Sequence, residues 1–277
     1  MKRFDRLLSL ALTAAALAPP GASGADELER FRPVLRYDSR EQYLAQPVSL
    51  PPPTAEVVSG EVIYGHVARE DDETWLQYWL FYAHDPQDWG VLGTGRHEGD
   101  WELVQFRLGE GGEPDLATLA QHATAEGCRW EELELETVDG GQAPVIYVAN
   151  GSHAAYSGAG VHDRPWPDPN DEADGGGEVR RPAVMPIRTG HPDWLAYPER
   201  WGSSEAGPFP GESSSPLGPR FQEGSAWRRP ASFHDERARP CGSPPPGRPW
   251  QTPALAGVAL ALGAAAIILW RRRRLYG

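Results

Sequence analysis

The sequence has little cysteine, almost no lysine and none of the short glycine motifs that mark nucleotide-binding enzymes. Its 277 residues contain two cysteines, so neither a disulfide-rich scaffold nor a four-cysteine zinc site can form within the chain. A P-loop is excluded because the only lysine is Lys2, and no Rossmann glycine pattern or G-x-S-x-G nucleophile motif occurs. The net charge of -13 argues against nucleic acid as a partner.

The amino-terminal end has the composition of a targeting segment. Lys2, Arg3 and Arg6 precede an apolar run over residues 7–18, and prolines and small residues follow up to Gly24. A basic start, an apolar run of this length and a small-residue end are typical of a secretory signal peptide. We therefore predict a signal peptide over residues 1–24 and export of a domain over residues 25–239.

The carboxyl-terminal end predicts a membrane anchor. Residues 254–270 carry no charge, and four arginines follow at 271–274. At 1.5 Å per residue a helix over this run is ~26 Å long, enough for a thin hydrocarbon core, and its basic flank marks the cytoplasmic side. The prediction is a Pro-rich stalk over 240–253, a transmembrane helix over 254–270 and a basic cytoplasmic tail over 271–277. The protein would be a single-pass membrane protein with its main domain outside the cytoplasm, and the arginine-rich, lysine-poor body suggests a GC-rich bacterial genome.

The exported domain is predicted to be all-β. Its stretches rich in β-branched and aromatic residues are interrupted by Gly, Pro and Asp at short intervals, which is typical of an antiparallel β-sandwich with long loops. The predicted strands cover residues 61–68, 74–83, 100–108, 116–123, 129–136 and 143–150. A hairpin reversal is predicted near residues 124–127.

A charged stretch, "HEGDWELVQF" at residues 97–106, stands at the start of one predicted strand. Because side chains alternate along a strand, Asp100 and Glu102 share one face while Trp101 lies on the other. His97 lies in a glycine-flanked turn and could reach the same place. One imidazole and two carboxylates suit a divalent cation, Ca²⁺ or Mg²⁺ more than Mn²⁺ or Zn²⁺. The alternative is a salt-bridged rim in which Arg96, Arg107 and similar residues neutralise the acids.

The two cysteines, Cys128 and Cys241, allow two interpretations. In an oxidising compartment they could form one disulfide that ties the end of the domain to its middle. Alternatively, Cys241 lies in "PCGSPPPGRPW", which together with the apolar run and the arginines resembles a bacterial sorting tail. In that case Cys241 would stay free or be processed.

Five stretches together carry a family resemblance: "RPVLRYDSREQY" at 32–43, "WLQYWLFYAHD" at 75–85, "HEGDWELVQF" at 97–106, "AQHATAEGCRW" at 120–130 and "PVIYVANGSHAAY" at 144–156. This ordered set resembles the vacuolar protein sorting-associated protein 62 family. The biochemical activity of that family is poorly defined, so the resemblance implies a fold more than a reaction.

The charged stretch is also similar to the "GHRHDWE" heptapeptide of the necrosis- and ethylene-inducing-like proteins, which are β-sandwiches. That resemblance implies a cation held by His97, Asp100 and Glu102 and engaged with a lipid head group. It also implies an upstream aspartate ligand, either Asp88 or Asp85. This sequence departs from the heptapeptide at Gly99 and Glu98, so cytolytic activity is not implied.

Two further histidines are candidates. His153 follows a predicted strand in a loop, and the resemblance places it beside the cation site as a second-shell donor or proton carrier; it could equally bond its own loop. His122 is expected on a strand near the same end, in a second-shell or packing role. The acidic loop at 168–178 has the opening spacing of an EF-hand but lacks the final Glu, which favours a solvated loop.

Three functions remain open at this point. The first is a binding module whose cation bridges the protein to a lipid or glycan bearing phosphate or carboxylate. The second is a metal-dependent hydrolase in which His153 or His122 moves protons. The third is a structural surface protein without a metal.

Overall fold

The computed structural model describes residues 24–87, 96–164, 169–203, 215–222 and 226–243. The predicted signal peptide therefore lies outside the described residues except for Gly24, as does the stalk beyond residue 243. The predicted membrane span at 254–270 and the basic tail also lie outside them. None of the helices in the described part of the chain is long and apolar enough to cross a membrane.

The described chain is mostly strand. Its elements are α1 (Gly24–Arg30), β1 (Val34–Tyr37), β2 (Val62–Glu70), β3 (Glu73–Asp85), β4 (His97–Leu108), β5 (Pro114–Gln121), β6 (Thr124–Arg129), β7 (Leu135–Val138), β8 (Gly141–Val148), β9 (Ala155–Tyr156), β10 (Gly160–His162), β11 (Asp171–Ala173), β12 (Val179–Arg180), β13 (Ala183–Pro186), α2 (Pro230–Arg237) and β14 (Ala238–Pro240). Short 3-10 helices lie at Trp130–Glu132 and Asp193–Ala196.

Two sheets form the body. Sheet A has the strand order β13-β2-β3-β4-β5-β6-β14, and sheet B has the order β12-β1-β8-β7 with β9 also paired to β8. The predicted all-β fold is confirmed, and strands β2 to β6 form an antiparallel meander. The purely antiparallel pairing was wrong, because β13, β14 and the β1–β8 pair run parallel to their neighbours.

One predicted strand was placed wrongly. The sequence predicts a strand over residues 129–136, whereas β6 occupies 124–129 and a 3-10 turn follows. The backbone N–H of Arg129 donates to the Glu132 carboxylate at 2.8 Å, which favours the turn over an extended chain. The hairpin reverses at His122, which adopts a left-handed φ of 55°, and not at 124–127.

Alternation along the strands of sheet A produces two cores. Leu76, Tyr78, Val104 and Phe106 pack inward against sheet B. The side chains between them, including Trp79 and Trp101, point outward and are covered by later segments of the chain that contribute Trp194 and Trp201. Trp79, Trp101, Trp194 and Trp201 therefore belong to an outer aromatic layer. Cys128 and Cys241 form a disulfide that fixes β14 to β6.

Candidate metal centre

The pairing of β3 with β4 gathers acidic and histidine side chains at one end of the sandwich. Asp85 lies opposite His97, and Asp100 lies opposite Tyr82. Because side chains alternate along β4, Asp100 and Glu102 lie on the inward face, the face that farther along the strand contributes Val104 to the sandwich core. The strand thus starts with its two carboxylates directed at the end of the inner core.

The start of β4 is fixed by a loop from late in the chain. His97 was predicted to lie in a turn before the strand, but it is the first residue of β4 and pairs with Asp85. Gly99 has a φ of 66°, and a Cβ there would lie 2.2 Å from the carbonyl oxygen of Trp201, so only glycine fits. Glu98 turns outward and accepts hydrogen bonds from the backbone N–H and the hydroxyl of Ser203, at 3.0 and 2.7 Å. Glu98 therefore anchors this loop and is not part of the inward-facing cluster.

His97 is oriented by its own backbone. Its Nδ1 lies 2.9 Å from the carbonyl oxygen of Gly99. A carbonyl only accepts, so Nδ1 carries the hydrogen and the lone pair of the neutral ring is on Nε2. Nε2 lies 3.4 Å from Oδ2 of Asp85. Two acceptors that face each other this closely need a proton or a cation between them, and a ring fixed through its other nitrogen is the usual state of a metal-bound histidine.

The inward-facing carboxyl groups destabilise one another's charge. Burial, followed by the charge of Asp100, raises the pKa of Asp85 and of Glu102 well above their usual ranges. The backbone N–H of Gln87 offsets part of this effect by donating to Asp85 at 2.7 Å. Groups of this kind either hold protons or are stabilised as anions by a nearby positive charge.

His153 supplies one such positive charge. It is fully buried, with a left-handed φ of 54°, and its ring stacks on Tyr82 at 3.8 Å. Nδ1 donates to Oδ2 of Asp100 at 2.8 Å, and Nε2 lies 3.6 Å from Oε1 of Glu41. Burial alone would lower the pKa of His153, but the charge of Glu41 and the bond to Asp100 outweigh it and raise the pKa to about 10. At neutral pH the ring is therefore an imidazolium between two carboxylates.

Glu41 is a member of the site that sequence reasoning missed. Burial alone would raise its pKa, but His153 and backbone N–H donors hold the pKa below its usual value. One of these donors is Gly151, at 2.6 Å. Glu41 lies inside one of the five family-like stretches, but no spacing connects it to His153 because their contact joins two loops 112 residues apart.

The structure places His122 beside a second buried carboxylate. Its Nε2 lies 2.8 Å from Oδ2 of Asp171, which also accepts from Tyr156 at 2.6 Å, while Oδ1 accepts from Ser152 at 2.6 Å. Burial would raise the pKa of Asp171, but the His122 charge and these donors hold it well below its usual value. Gln87 connects Asp171 with Asp85. Its side chain donates to Asp171 at 3.1 Å, and its backbone N–H donates to Asp85.

The acidic loop that resembles an EF-hand is used for packing. Asp171 is buried, Glu172 pairs with Arg40, and Asp174 accepts from the backbone and hydroxyl of Ser39. The expectation of a solvated loop was therefore only partly right, because the loop closes over the segment that contributes Glu41.

The salt-bridged rim expected of Arg107 does not form at this end of β4. Arg107 pairs with Glu73 and Asp115 at the opposite end of the strand. Among the described residues, no group of three or more His, Cys, Asp or Glu side chains is arranged to hold a metal ion. Asp88, one of the two upstream aspartates considered, lies outside the described residues. The donor types fit Ca²⁺ or Mg²⁺, but they are not gathered around one point.

A polar cleft of about 240 Å³ opens beside this cluster. It is adjacent to the site because the backbone of Gln87 donates to Asp85 and that of Gly151 donates to Glu41. Its walls are mostly amide, carboxylate and proline groups: Pro86, Gln87, Asn150, Gly151, Pro169, Asn170 and Glu172. Such a lining suits a hydrated polar ligand better than an apolar one.

The two sheets and the histidine–carboxylate cluster define a β-sandwich protein with an acidic site at one end. Vacuolar protein sorting-associated protein 62 of Saccharomyces cerevisiae is 33% identical over 105 residues, which cover 32% of this chain and 22% of the yeast protein. The chain thus matches about a fifth of the length of that curated relative. This finding confirms the resemblance predicted from the five stretches.

Solved structures of low sequence identity also match the chain. One described as a toxin fold for microbial attack and plant defense is 14% identical, with a TM-score of 0.42, and covers 76% of this chain and 92% of that chain. Necrosis and Ethylene inducing Protein 2, from the causal agent of witches' broom disease of cocoa, is 13% identical with a TM-score of 0.36. The match covers 62% of this chain and 77% of that protein's chain. No family model matches the sequence.

Proposed function

We propose that this protein is a binding module that uses a divalent cation, Ca²⁺ or Mg²⁺, to engage a lipid or glycan head group bearing phosphate or carboxylate. The observation that carries the proposal is the His97–Asp85 pair. Nδ1 of His97 is committed to a backbone carbonyl, and Nε2 faces a carboxylate oxygen at 3.4 Å. A cation that drew His97, Asp85, Asp100 and Glu102 together there would supply the positive charge that an acidic protein needs to bind an anionic ligand.

The neighbouring cleft supports a polar head group as the ligand. Its volume of about 240 Å³ is sufficient for a group the size of one sugar ring, and Asn150 and Glu172 present polar groups to it. We also propose that the protein is exported and anchored by residues 254–270, which rests on the sequence pattern alone.

Metal content measured by mass spectrometry on the purified full chain tests the cation. Asp100→Asn is expected to weaken Ca²⁺ or Mg²⁺ binding more than about 100-fold, because it removes a ligand charge. Asp115→Asn is the matched control, since Asp115 is an acid paired with Arg107 at the other end of β4. Equal binding of both cations by the wild type and the Asp100 variant would contradict the site.

Ligand binding is tested with anionic phospholipid vesicles and with glucuronic acid, each with and without chelator. Binding is expected to disappear in chelator and in Asp100→Asn, and to weaken in Glu172→Gln. Undiminished binding in chelator would refute the bridging role. If neither metal nor ligand binds, the structural alternative is favoured.

The burial of His153 argues against this residue as the proton carrier of a hydrolase. His153 is fully buried, so it cannot exchange protons with a bound ligand directly. The side chain of His122 is 30% exposed and is oriented by Asp171 at 2.8 Å, as a general base requires. Turnover of phosphoester or glycoside substrates that is lost in His122→Ala but retained in His153→Gln would favour hydrolysis over binding.

A further inference from the structure

A row of polar side chains crosses the outer face of sheet A, the face opposite the acidic site. It lies under residues 226–243, here called the strap. His66, Gln77, Gln105 and Thr118 are direct neighbours on adjacent strands. Successive contacts measure 2.9 Å from His66 to Gln77, 3.0 Å to Gln105, 3.4 Å to Thr118 and 2.9 Å to His234 of α2. Gln77, Gln105 and Thr118 are fully buried.

Two strap carbonyls fix the orientation of both amides. Nε2 of Gln77 lies 2.6 Å from the carbonyl oxygen of Ala226, and Nε2 of Gln105 lies 2.9 Å from that of Pro230. Carbonyls only accept, so both side-chain oxygens must face the other way and accept along the row. Oε1 of Gln77 also accepts from the indole N–H of Trp79 at 3.3 Å.

The hydrogen at every link follows from these orientations. Nδ1 of His66 must donate to Gln77, and Gln77 donates to Gln105. Gln105 donates its second hydrogen to the oxygen of Thr118. The hydroxyl of Thr118 is then free to donate to Nδ1 of His234, which accepts in the tautomer that carries its hydrogen on Nε2. In that arrangement the row runs one way, from His66 to His234, and ends at an imidazole nitrogen without a hydrogen.

Further contacts attach the strap to sheet A. Trp227 stacks on His66 at 3.6 Å with an interplanar angle of 2°, and the backbone N–H of Ser232 donates to Glu70 at 3.0 Å. His234 packs directly on the backbone of β6, because a Cβ at Gly127 would lie 2.7 Å from its Cε1. At the end of the strap, Cys241 is bonded to Cys128.

We propose that the strap is an acid-sensitive cover, released when His234 takes up a proton on Nδ1. The added N–H would face the hydroxyl of Thr118, whose hydrogen would lose its acceptor, so the hydroxyl would have to reorient to accept from the ring beside its long bond from Gln105. With the row broken, the two amide contacts to strap carbonyls weaken together, while the disulfide keeps the released strap attached.

The surroundings of His234 favour a neutral imidazole ring at neutral pH. Burial, with help from Arg107 of β4, lowers the pKa of His234 against the opposing effects of its neighbour Asp235 and of Glu73 from β3. Glu70 of β2 accepts two hydrogen bonds from Ser232, and these bonds would also weaken when Glu70 is protonated. A variant that removes only the His234 titration separates the two effects.

Hydrogen exchange of the full chain, followed by mass spectrometry at about pH 7 and about pH 5 and corrected for intrinsic rates, tests the proposal. Amides of residues 227–240 are expected to lose protection at least about 10-fold in acid while those of β3 do not. His234→Asn places a non-titrating carbonyl oxygen where Nδ1 stands, so its strap should keep its protection. Equal strap protection of the wild type at both pH values, or acid release of the His234→Asn strap as in the wild type, would overturn the proposal.

A second measurement does not depend on the variant folding. The nitrogen chemical shifts of the His234 ring at neutral pH report which nitrogen carries the hydrogen. A hydrogen on Nε2 alone is the expected result. A hydrogen on Nδ1 would refute the direction of the row and with it the proposed release.

Discussion

Replacing His153 with glutamine removes the positive charge that lies between Asp100 and Glu41. His153 is fully buried, Nδ1 contacts Asp100 at 2.8 Å, and Nε2 is 3.6 Å from Glu41. Breaking a buried ion pair by removing one partner costs ~3–5 kcal/mol, because the remaining charge is left without compensation. We expect His153→Gln to destabilise the domain by that amount.

For a domain of this size, 1 kcal/mol corresponds to ~2–4 °C in Tm, so the midpoint should fall by ~10 °C. The assay is urea and thermal unfolding at neutral pH in the presence of chelator. His191→Gln is the matched control, because His191 is exposed and its substitution should change stability by less than ~0.5 kcal/mol. A loss below ~1 kcal/mol in His153→Gln would refute the assignment of His153 as a buried cation.

Three further outcomes are expected in unfolding experiments on the full chain. Gly99→Ala should cost more than ~3 kcal/mol because its Cβ would lie 2.2 Å from a backbone oxygen, whereas Gly111→Ala, in open space at φ 96°, should cost only ~1 kcal/mol; equal costs would contradict this packing. Removing the Cys128–Cys241 disulfide, which joins residues 113 apart, should cost up to ~5 kcal/mol, and a double alanine variant as stable as the wild type would argue against the bond. Burial, partly offset by a hydrogen bond, lowers the pKa of His66 to about 4, below its unfolded value of ~6.5. The free energy of unfolding of the wild type should therefore fall by up to ~3 kcal/mol as pH falls from ~6.5 to ~4. His66→Phe should lack this loss, and parallel pH profiles of the two proteins would contradict it.

Local patterns were enough to predict the five longest described strands and the orientation of the charged stretch. The alternation that separates Trp101 from Asp100 and Glu102 is a property of the chain itself, so it could be read without knowing any partner strand. The special backbone at Gly99 was also predictable, because glycine is the residue that readily adopts the left-handed φ found there. The proximity of His97 to Asp100 and Glu102 stays a prediction.

Contacts between distant segments could not be predicted in this way. Asp171 appears in a stretch of Asp, Glu and Gly that is typical of a solvated loop, and only its position under Tyr156 and His122 makes it a buried acceptor. The polar row on sheet A was missed for the same reason. Gln77 and Gln105 are single polar residues in apolar strands, and their meaning depends on strap carbonyls more than 100 residues away.

The position of His153 explains how an acidic cluster at the end of an apolar core is stabilised. The imidazolium pairs with Asp100 and Glu41, the two carboxylates that contact it. Asp85 and Glu102 receive less of its charge, and burial and Asp100 keep their pKa values well raised. They can therefore remain protonated, or they can ionise beside an external cation with His97. The internal charge stabilises the fold, and under the proposed function the second pair of carboxyl groups would bind the cation in a separate step. An Asp85→Asn variant that no longer binds metal but keeps the wild-type free energy of unfolding in chelator would demonstrate that separation.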